Sequence, residues 1–260
     1  MSGSGSVRLE ARDDGVRVVT LARPPVNALG RDLVADLTSV AGRLLADGGA
    51  RCVVVRTDGR HFCAGADLKE RKGMSDDEVR AFVPRLAGAV RAFGDLPMPT
   101  IAAVRGAAAG GGCELALACD LRVLAESASI GLRETALAIL PGAGGTPRLP
   151  RLIGLARAKR WLFTAAMFDA HEALADGVAD RVVPDADLDE EADRMARTIA
   201  ANGPVAVRLA KRAIDGGWHL PIDEALELEW DCYQGVLSTE DRVEALRAFA
   251  EKRPPRFVGR

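Results

Sequence analysis

The sequence has few aromatic residues, few histidines and no excess of either charge. Aromatic residues make up 4% of the 260 residues, and the formal net charge is −2. Nucleic-acid binding proteins usually carry a marked basic excess, because phosphate groups must be neutralised, so we expect no nucleic-acid partner. The three histidines are not paired at the spacing of metal ligands, and no metal site is predicted.

Long hydrophobic runs and a secretory signal are also missing. No run approaches the length of a membrane-spanning helix. The opening segment MSGSGSVRLE has no basic region followed by an apolar one, so we expect no secretion and a cytoplasmic location. The first six residues, MSGSGS, are expected to form a flexible tail.

The cysteines do not form a disulfide or zinc pattern. Their number is odd and no two stand in a C-x-x-C spacing, which favours small buried thiols in a reducing compartment. The five positions are Cys52, Cys63, Cys113, Cys119 and Cys232.

The order of apolar patterns predicts an α/β fold with an all-helical C-terminal part. Helices are expected at 31–47 and 75–93, the second kinked or broken at Pro84. Short β-branched runs alternate with these helices and predict strands at 16–22, 52–57, 100–104, 121–125 and 128–132. After about residue 150 helical patterns dominate, at 155–167, 190–202, 204–217, 221–238 and 239–253. No linker precedes these helices, so we expect them to pack on the body of the chain or on a neighbouring subunit.

Three local segments point to chemistry. The first is HFCAGADLKE at 61–70, where a Gly follows a strand and Asp67 precedes a helical run. The second is AAAGGGCELALACD at 107–120, where three glycines allow backbone to approach a ligand and Glu114 follows at a helix start. The third is RETALAILPGAGGTPRL at 133–149, which contains Glu134.

Each segment also has a structural interpretation. Asp67 suits a helix cap, a glutamate at a helix start compensates the helix dipole, and PGAGGT forms a tight loop. The presence of all three segments in one chain favours a functional site over these structural interpretations. In this order, the segments resemble the enoyl-CoA hydratase/isomerase family, also called the crotonase family, from about residue 15 to the C-terminus. Within the family, FCAGADLKER with KGMSDDEV, GGCELALACDLRV and the terminal EKRPPRF most resemble the methylglutaconyl-CoA hydratases.

The resemblance implies a fold and a reaction. The fold is a crotonase-like spiral of ββα units over residues 1–195, followed by a helical oligomerisation region over 196–260. The reaction is addition of water across the 2,3 double bond of an enoyl-CoA thioester. By match to the family motifs, the N–H groups of Ala66 and Gly111 stabilise the thioester oxyanion, Glu114 is mainly the base and Glu134 is mainly the acid.

The resemblance also implies binding residues and an assembly. Coenzyme A is part of the substrate, with no permanently bound cofactor. The stretch Ala64 to Lys69, including Asp67 and Leu68, matches the family's CoA-binding segment, and Tyr233 and Lys252 match C-terminal CoA contacts. In the family those C-terminal contacts often come from a neighbouring subunit, so we expect a homotrimer or a hexamer of paired trimers.

The departures from the family pattern concern the acyl group. Arg133 and Pro147 stand where common hydratases have Pro and Gln. Pro147 is attributed to loop packing. Arg133, Arg71 or Lys72 could bind a distal carboxylate of a methylglutaconyl group, or could face solvent. Two further functions stay open: a Δ3,Δ2-enoyl-CoA isomerase that relies on Glu134, and a catalytically silent RNA-binding homologue.

RNA binding is not expected from the early helix. Some methylglutaconyl-CoA hydratases bind RNA through lysines in this helix. The corresponding segment ALGRDLVADLTSVAGRLLADGG contains Arg31 and Arg43, several acids and no lysine. Clustered cations are needed to neutralise phosphates.

Overall fold

Two β-sheets form the centre of the chain in the computed structural model, which describes residues 5–260. The larger sheet has the order β1-β2-β3-β4-β6-β9 and the smaller one the order β5-β7-β8. The strands are β1 (Val7–Ala11), β2 (Val16–Leu21), β3 (Cys52–Thr57), β4 (Thr100–Val104), β5 (Ala107–Ala109), β6 (Leu121–Ala125), β7 (Ser129–Gly131), β8 (Phe168–Asp169) and β9 (Arg181–Val183). In the larger sheet only the β1–β2 pair is antiparallel.

Helices cover the sheets and connect the parallel strands. Those of the main body are α1 (Arg31–Leu45), α2 (Leu68–Lys72), α3 (Asp76–Gly94), α4 (Gly111–Ala118), α5 (Gly145–Ile153), α6 (Leu155–Thr164), α7 (Ala170–Asp176) and α8 (Leu188–Ala200). The helix α8 packs against β3, β4 and β6. Strands β2 and β4 are buried along their whole length, as expected of parallel strands covered by helices. The α/β prediction is therefore confirmed.

The predicted strands agree closely with the structure, but shorter ones were missed. The predictions at 52–57, 100–104 and 121–125 match β3, β4 and β6. The run at 128–132 forms β7, which lies in the smaller sheet. Strands β1, β5, β8 and β9 were not predicted: β5, β8 and β9 have only two or three residues each, and β1 (VRLEA) contains a single β-branched residue.

Several local predictions can be compared directly with the structure. Helix α3 continues through Pro84, so the break is excluded, and Ser75 forms a capping box with Glu78 at its start. Residues 1–4 of the predicted tail lie outside the described residues. Ser6, at the end of that segment, donates from its backbone N and its hydroxyl to Asp36 and leads directly into β1. All five cysteines are buried and free, as predicted.

The C-terminal helices are α9 (Pro204–Gly217), α10 (Ile222–Leu237) and α11 (Glu240–Glu251), and α9 packs mainly against α10. They bury few of their apolar side chains: Trp218 is 62% exposed, Ile222 71% and Phe249 87%. The division of the chain at residue 195 stays a prediction, and that position falls within α8. Over residues 5–260, none of the helices has the length and apolar character needed to cross a bilayer.

Candidate active site

A cavity of about 500 Å³ lies where the three predicted functional segments meet. Its wall is mostly apolar, with Leu68 from α2 and Leu137, Ile139 and Leu140 from the segment after β7. Helix α3 adds Val79, Val83 and Leu86. The charged residues that line it are Arg71, Glu114, Arg133 and Glu134. A mostly apolar cavity with a few convergent polar groups is typical of a small-molecule site.

One wall is made of two glycine-containing turns that approach each other closely. Gly65 has a φ of 84°, and a Cβ at this position would lie 2.6 Å from the Ala109 carbonyl oxygen and 3.2 Å from the Gly111 nitrogen. Only glycine permits this backbone and this contact. The N–H groups of Ala66 and Gly111, which follow these turns, donate to no backbone or side-chain acceptor within residues 5–260. Two backbone donors are thus left free beside the cavity.

Glycine at position 111 leaves room for Leu29, a neighbour that the sequence did not reveal. A Cβ there would lie 2.8 Å from Leu29 Cδ1, so a side chain would displace Leu29. Leu29 is fully buried and its backbone N donates to the Gly65 oxygen at 2.7 Å. The contact between the two turns therefore depends on a residue far from both in sequence.

Glu114 lies in the first turn of α4 and is 2% exposed. Its Oε1 accepts hydrogen bonds from the backbone N of Ala143 at 2.7 Å and of Gly145 at 2.8 Å. Burial raises the pKa of this carboxyl, while these N–H groups act in the opposite direction. Gly145 is the first residue of α5, so the helix dipole also favours the ionised form. The carboxylate is held at one oxygen.

Glu134 begins a 3₁₀ turn (Glu134–Leu137) and lies in a different environment. It is 8% exposed, and its Oε2 is buried without a hydrogen-bond partner. Burial, followed by the charge of Glu114, raises its pKa to about 7. A Cβ on Gly110 would lie 2.9 Å from Glu134 Oε1, and one on Gly111 would lie 3.9 Å from Glu114 Oε2. The two carboxylates therefore flank adjacent glycines.

Two arginines face the same cavity. Arg71 is half-buried and Arg133 is exposed, and both line the cavity wall. Within the described part of the chain, neither forms a salt bridge. Lys72, the third candidate for a carboxylate contact, is exposed and does not line the cavity.

The predicted CoA-binding residues are only partly brought together. Ala64 and Leu68 line the cavity. Asp67 is the N-cap of α2, as its structural interpretation predicted: it accepts from the backbone N of Lys69 and Glu70 and forms a salt bridge with Arg23.

The remaining predicted CoA contacts lie away from the cavity of their own chain. Lys69 is exposed, and Tyr233 and Lys252 lie on α10 and at the C-terminal end of α11, outside the cavity wall. Their role in CoA binding stays a prediction.

The Pro147 substitution has a local explanation. Pro147 is the third residue of α5, and N–H groups in the first helical turn have no intrahelical acceptor. A proline at this place therefore removes no helical hydrogen bond. The preceding loop, residues 143–145, still donates its backbone N–H groups to Glu114.

The comparisons with known proteins agree with this geometry. The sequence profile of the enoyl-CoA hydratase/isomerase family matches residues 11–260. The mitochondrial methylglutaconyl-CoA hydratase of Mus musculus is 44% identical over 257 residues, which is 96% of this chain and 82% of the mouse protein. The human mitochondrial enoyl-CoA hydratase domain-containing protein 2 is 44% identical over 258 residues, or 97% of this chain and 88% of that protein.

A solved structure shows the same fold. The enoyl-CoA hydratase from Bacillus anthracis superposes with a TM-score of 0.96 at 44% identity, covering 98% of this chain and all of that one. The family match over nearly the whole chain, the identity to full-length relatives and the shared fold lead to one conclusion: the chain belongs to the enoyl-CoA hydratase/isomerase, or crotonase, family.

Proposed function

We propose that this protein is an enoyl-CoA hydratase, which adds water across the 2,3 double bond of an enoyl-CoA thioester. The observation that carries the proposal is the pair Glu114 and Glu134, two buried carboxyls in unequal environments on one cavity wall. A reaction that both removes and delivers a proton needs such a pair.

The free N–H groups of Ala66 and Gly111 supply the first requirement of the reaction. When water attacks C3, negative charge develops on the thioester oxygen, and two backbone donors stabilise that charge. Loss of one such donor typically reduces the rate about a hundred- to a thousandfold. The donors are backbone atoms held by Gly65 and its neighbours, so they need no reorganisation during the reaction.

The carboxyl environments support a division of roles. Two backbone N–H groups donate to Glu114 Oε1 and stabilise its ionised form. Glu114 is therefore the carboxyl of the pair that ionises more readily, and it accepts the proton of the attacking water. Glu134, with its pKa raised to about 7, holds a proton near neutral pH and delivers it to C2. The hydroxyl bonds to C3 in the same addition, and one proton transfer between the two carboxyls restores the starting state. Because the two groups interact, they titrate as a pair.

The most direct test is a hydration assay on straight, branched and dicarboxylic enoyl-CoAs. We expect turnover that Glu114→Gln nearly abolishes. If the protein is instead a Δ3,Δ2-enoyl-CoA isomerase that relies on Glu134, Glu114→Gln will retain much of the double-bond shift. A catalytically silent homologue would turn over none of the substrates.

We further propose that the preferred substrate carries a distal carboxylate, as 3-methylglutaconyl-CoA does. Arg71 and Arg133 support this, because both line the cavity and neither is neutralised by a salt bridge among the described residues. The name of the mouse relative points to the same substrate. Hydrogen bonds between arginine and a carboxylate are among the stronger polar contacts in proteins.

Substitution of the arginines tests the substrate separately from the reaction. Arg71→Met and Arg133→Met should raise KM for 3-methylglutaconyl-CoA and leave crotonyl-CoA little changed. Lys72→Met is the matched control, since Lys72 adjoins Arg71 and does not line the cavity. A kcat/KM far higher for crotonyl-CoA than for 3-methylglutaconyl-CoA would exclude the dicarboxylic substrate and leave the hydratase proposal intact.

The assembly and the CoA contacts belong to the same proposal. We propose a homotrimer or hexamer in which Tyr233 and Lys252 reach the CoA of a neighbouring copy, with Ala64, Leu68 and Lys69 contacting CoA within one copy. Support comes from the apolar side chains that α9–α11 leave exposed. Coenzyme A enters as part of the substrate, without a permanently bound cofactor. A cytoplasmic location and the lack of a nucleic-acid partner stay predictions.

A further inference from the structure

Arg148 contacts residues 143–145, the loop whose backbone N–H groups hold Glu114. Its Nη1 donates to the Ala143 carbonyl oxygen at 2.9 Å, and its backbone N donates to the Gly144 oxygen at 3.0 Å. Gly144 has a φ of 111°, and a Cβ there would lie 1.9 Å from Arg148 Nη1. The guanidinium therefore occupies the space that any side chain at position 144 would take.

The loop is thus held by two sets of hydrogen bonds. The N–H groups of Ala143 and Gly145 donate to Glu114 Oε1, and the Ala143 carbonyl oxygen accepts from Arg148. Ala143 contributes to both contacts through its own two backbone groups. A shift of the loop toward or away from Arg148 would move both donors that fix the carboxylate.

Arg148 and Glu114 also interact through their charges. Burial raises the pKa of Glu114, the loop N–H groups lower it, and the positive charge of Arg148 lowers it further. The charge of Glu114 in turn raises the pKa of Glu134, which lines the same cavity. Burial lowers the pKa of Arg148, while Asp95 and Glu114 raise it and Arg91 lowers it.

Arg148 also lines a second cavity of about 480 Å³, to which Arg151 and Leu152 of α5 contribute as well. Further ionisable residues line that cavity: Asp95, Cys119, Asp120, Arg122, Arg151, Asp215 and His219. Arg148 thus donates to the Glu114 loop and also lines this second cavity.

We propose that Arg148 is a positioning residue for the hydration reaction: it holds residues 143–145 so that their N–H groups keep Glu114 ionised and oriented toward the attacking water. The inference rests on the proposed function for the role of Glu114, while the contact itself does not. Its effect should appear in kcat and in the titration of Glu114, because Arg148 does not line the substrate cavity.

Two substitutions of Arg148 separate its charge from its packing. Arg148→Met keeps an unbranched stem and removes both the charge and the hydrogen bond to Ala143. We expect kcat for hydration to fall about 10- to 100-fold with KM within about threefold, since small misplacement of a catalytic group costs rate more than binding. The acidic limb of the kcat–pH profile should move to higher pH. Arg148→Lys, which keeps the charge, should restore the position of that limb and part of the rate.

The control is Arg151→Met, which removes an arginine from the same helix and the same second cavity. Arg151 donates to the Pro147 oxygen, and no hydrogen bond joins its side chain to residues 143–145 within the described part of the chain, so kcat and the pH profile should stay as in the wild type. Unchanged kcat and pH profile in Arg148→Met, or an equal change in Arg151→Met, would overturn the proposal. If Arg148→Met fails to fold, the rate of Arg148→Lys decides: its single ammonium lacks the guanidinium's reach to Ala143, so a full wild-type kcat in this variant would overturn the proposal.

A measurement without turnover separates this inference from the proposed function. Infrared titration of the carboxyl band that disappears in Glu114→Gln should show a higher pKa for Glu114 in Arg148→Met than in the wild type. If the pKa shifts in this way but the protein hydrates no enoyl-CoA, the coupling between Arg148 and Glu114 is supported and the hydratase proposal is rejected. No shift in an active hydratase would reject the role of Arg148 alone.

Discussion

Replacing Glu134 by glutamine should stabilise the protein, and by an amount that depends on pH. Glu134 is 8% exposed, its Oε2 has no partner, and its pKa is raised from 4.5 to about 7 by burial and by Glu114. The folded protein therefore keeps a proton that the unfolded chain releases. Consequently wild-type stability falls as pH rises from about 4.5 to about 7 and levels off above that range.

The magnitude follows from the two pKa values. A difference between about 7 and 4.5, at about 1.4 kcal/mol per pH unit, corresponds to at most about 3 kcal/mol. The cavity is open to solvent, which lowers the cost of burying the charge, so we expect about 1–2 kcal/mol at pH 8. Glutamine keeps the shape of the side chain and has no charge. Its advantage should be near zero below about pH 4 and complete above about pH 8.

Urea unfolding across this pH range, at one protein concentration, measures the difference. Glu126→Gln is the control, because Glu126 is exposed and its replacement changes the net charge equally. A stability difference between Glu134→Gln and wild type that stays constant from about pH 5 to about pH 9 would refute the reasoning. So would a Glu134→Gln variant that is less stable than wild type at pH 8. The variant should also lose hydration activity, so the gain in stability would come with a loss of function.

Two other predictions concern packing and assembly. Gly112→Ala should lower the free energy of unfolding by about 2–4 kcal/mol, because its Cβ would lie 2.1 Å from the Cys63 oxygen. Gly88→Ala in α3, where a Cβ would meet nothing within 4 Å, should raise the free energy of unfolding by about 0.5–1 kcal/mol. Urea unfolding of the wild type and both variants measures these differences. Phe249→Asp should lower the molar mass measured by light scattering, because this side chain is 87% exposed on α11 and an oligomer would bury it. An unchanged mass would place the interface elsewhere.

Periodicity predicted the larger elements because their patterns are long. The helix predicted at 31–47 forms α1, and of the five side chains expected on its apolar face four are buried: Leu33, Leu37, Val40 and Leu44. The fifth, Leu45 at the C-terminal end of α1, is 64% exposed, so its assignment to this face was wrong. Pro204 at the start of α9 is where the pattern put it. The strands β8 and β9 were not predictable, since two or three residues have no period and pair only because β7 and β6 lie beside them.

The same contrast holds at the site. The motifs contained Glu114, Glu134, Ala66 and Gly111, and the cavity wall includes all four. No motif indicated that the Leu29 side chain packs against Gly111. Nor did any motif indicate that Val79, Val83 and Leu86 of α3 contribute to the apolar wall of the cavity. These contacts join segments that are far apart in sequence, so no local pattern contains them.

The sequence by itself determined which side chains are present and which backbone turns are allowed: two carboxylates, and glycines at positions 65, 110, 111 and 144 where the chain takes positive φ or permits close contact. Only the tertiary structure decided how the two carboxyls differ. Glu114 receives two N–H groups from a loop that starts almost thirty residues later, and Glu134 receives none at its buried oxygen. Ionisation depends on burial and on the neighbours within a few ångströms, and folding alone brings those neighbours together.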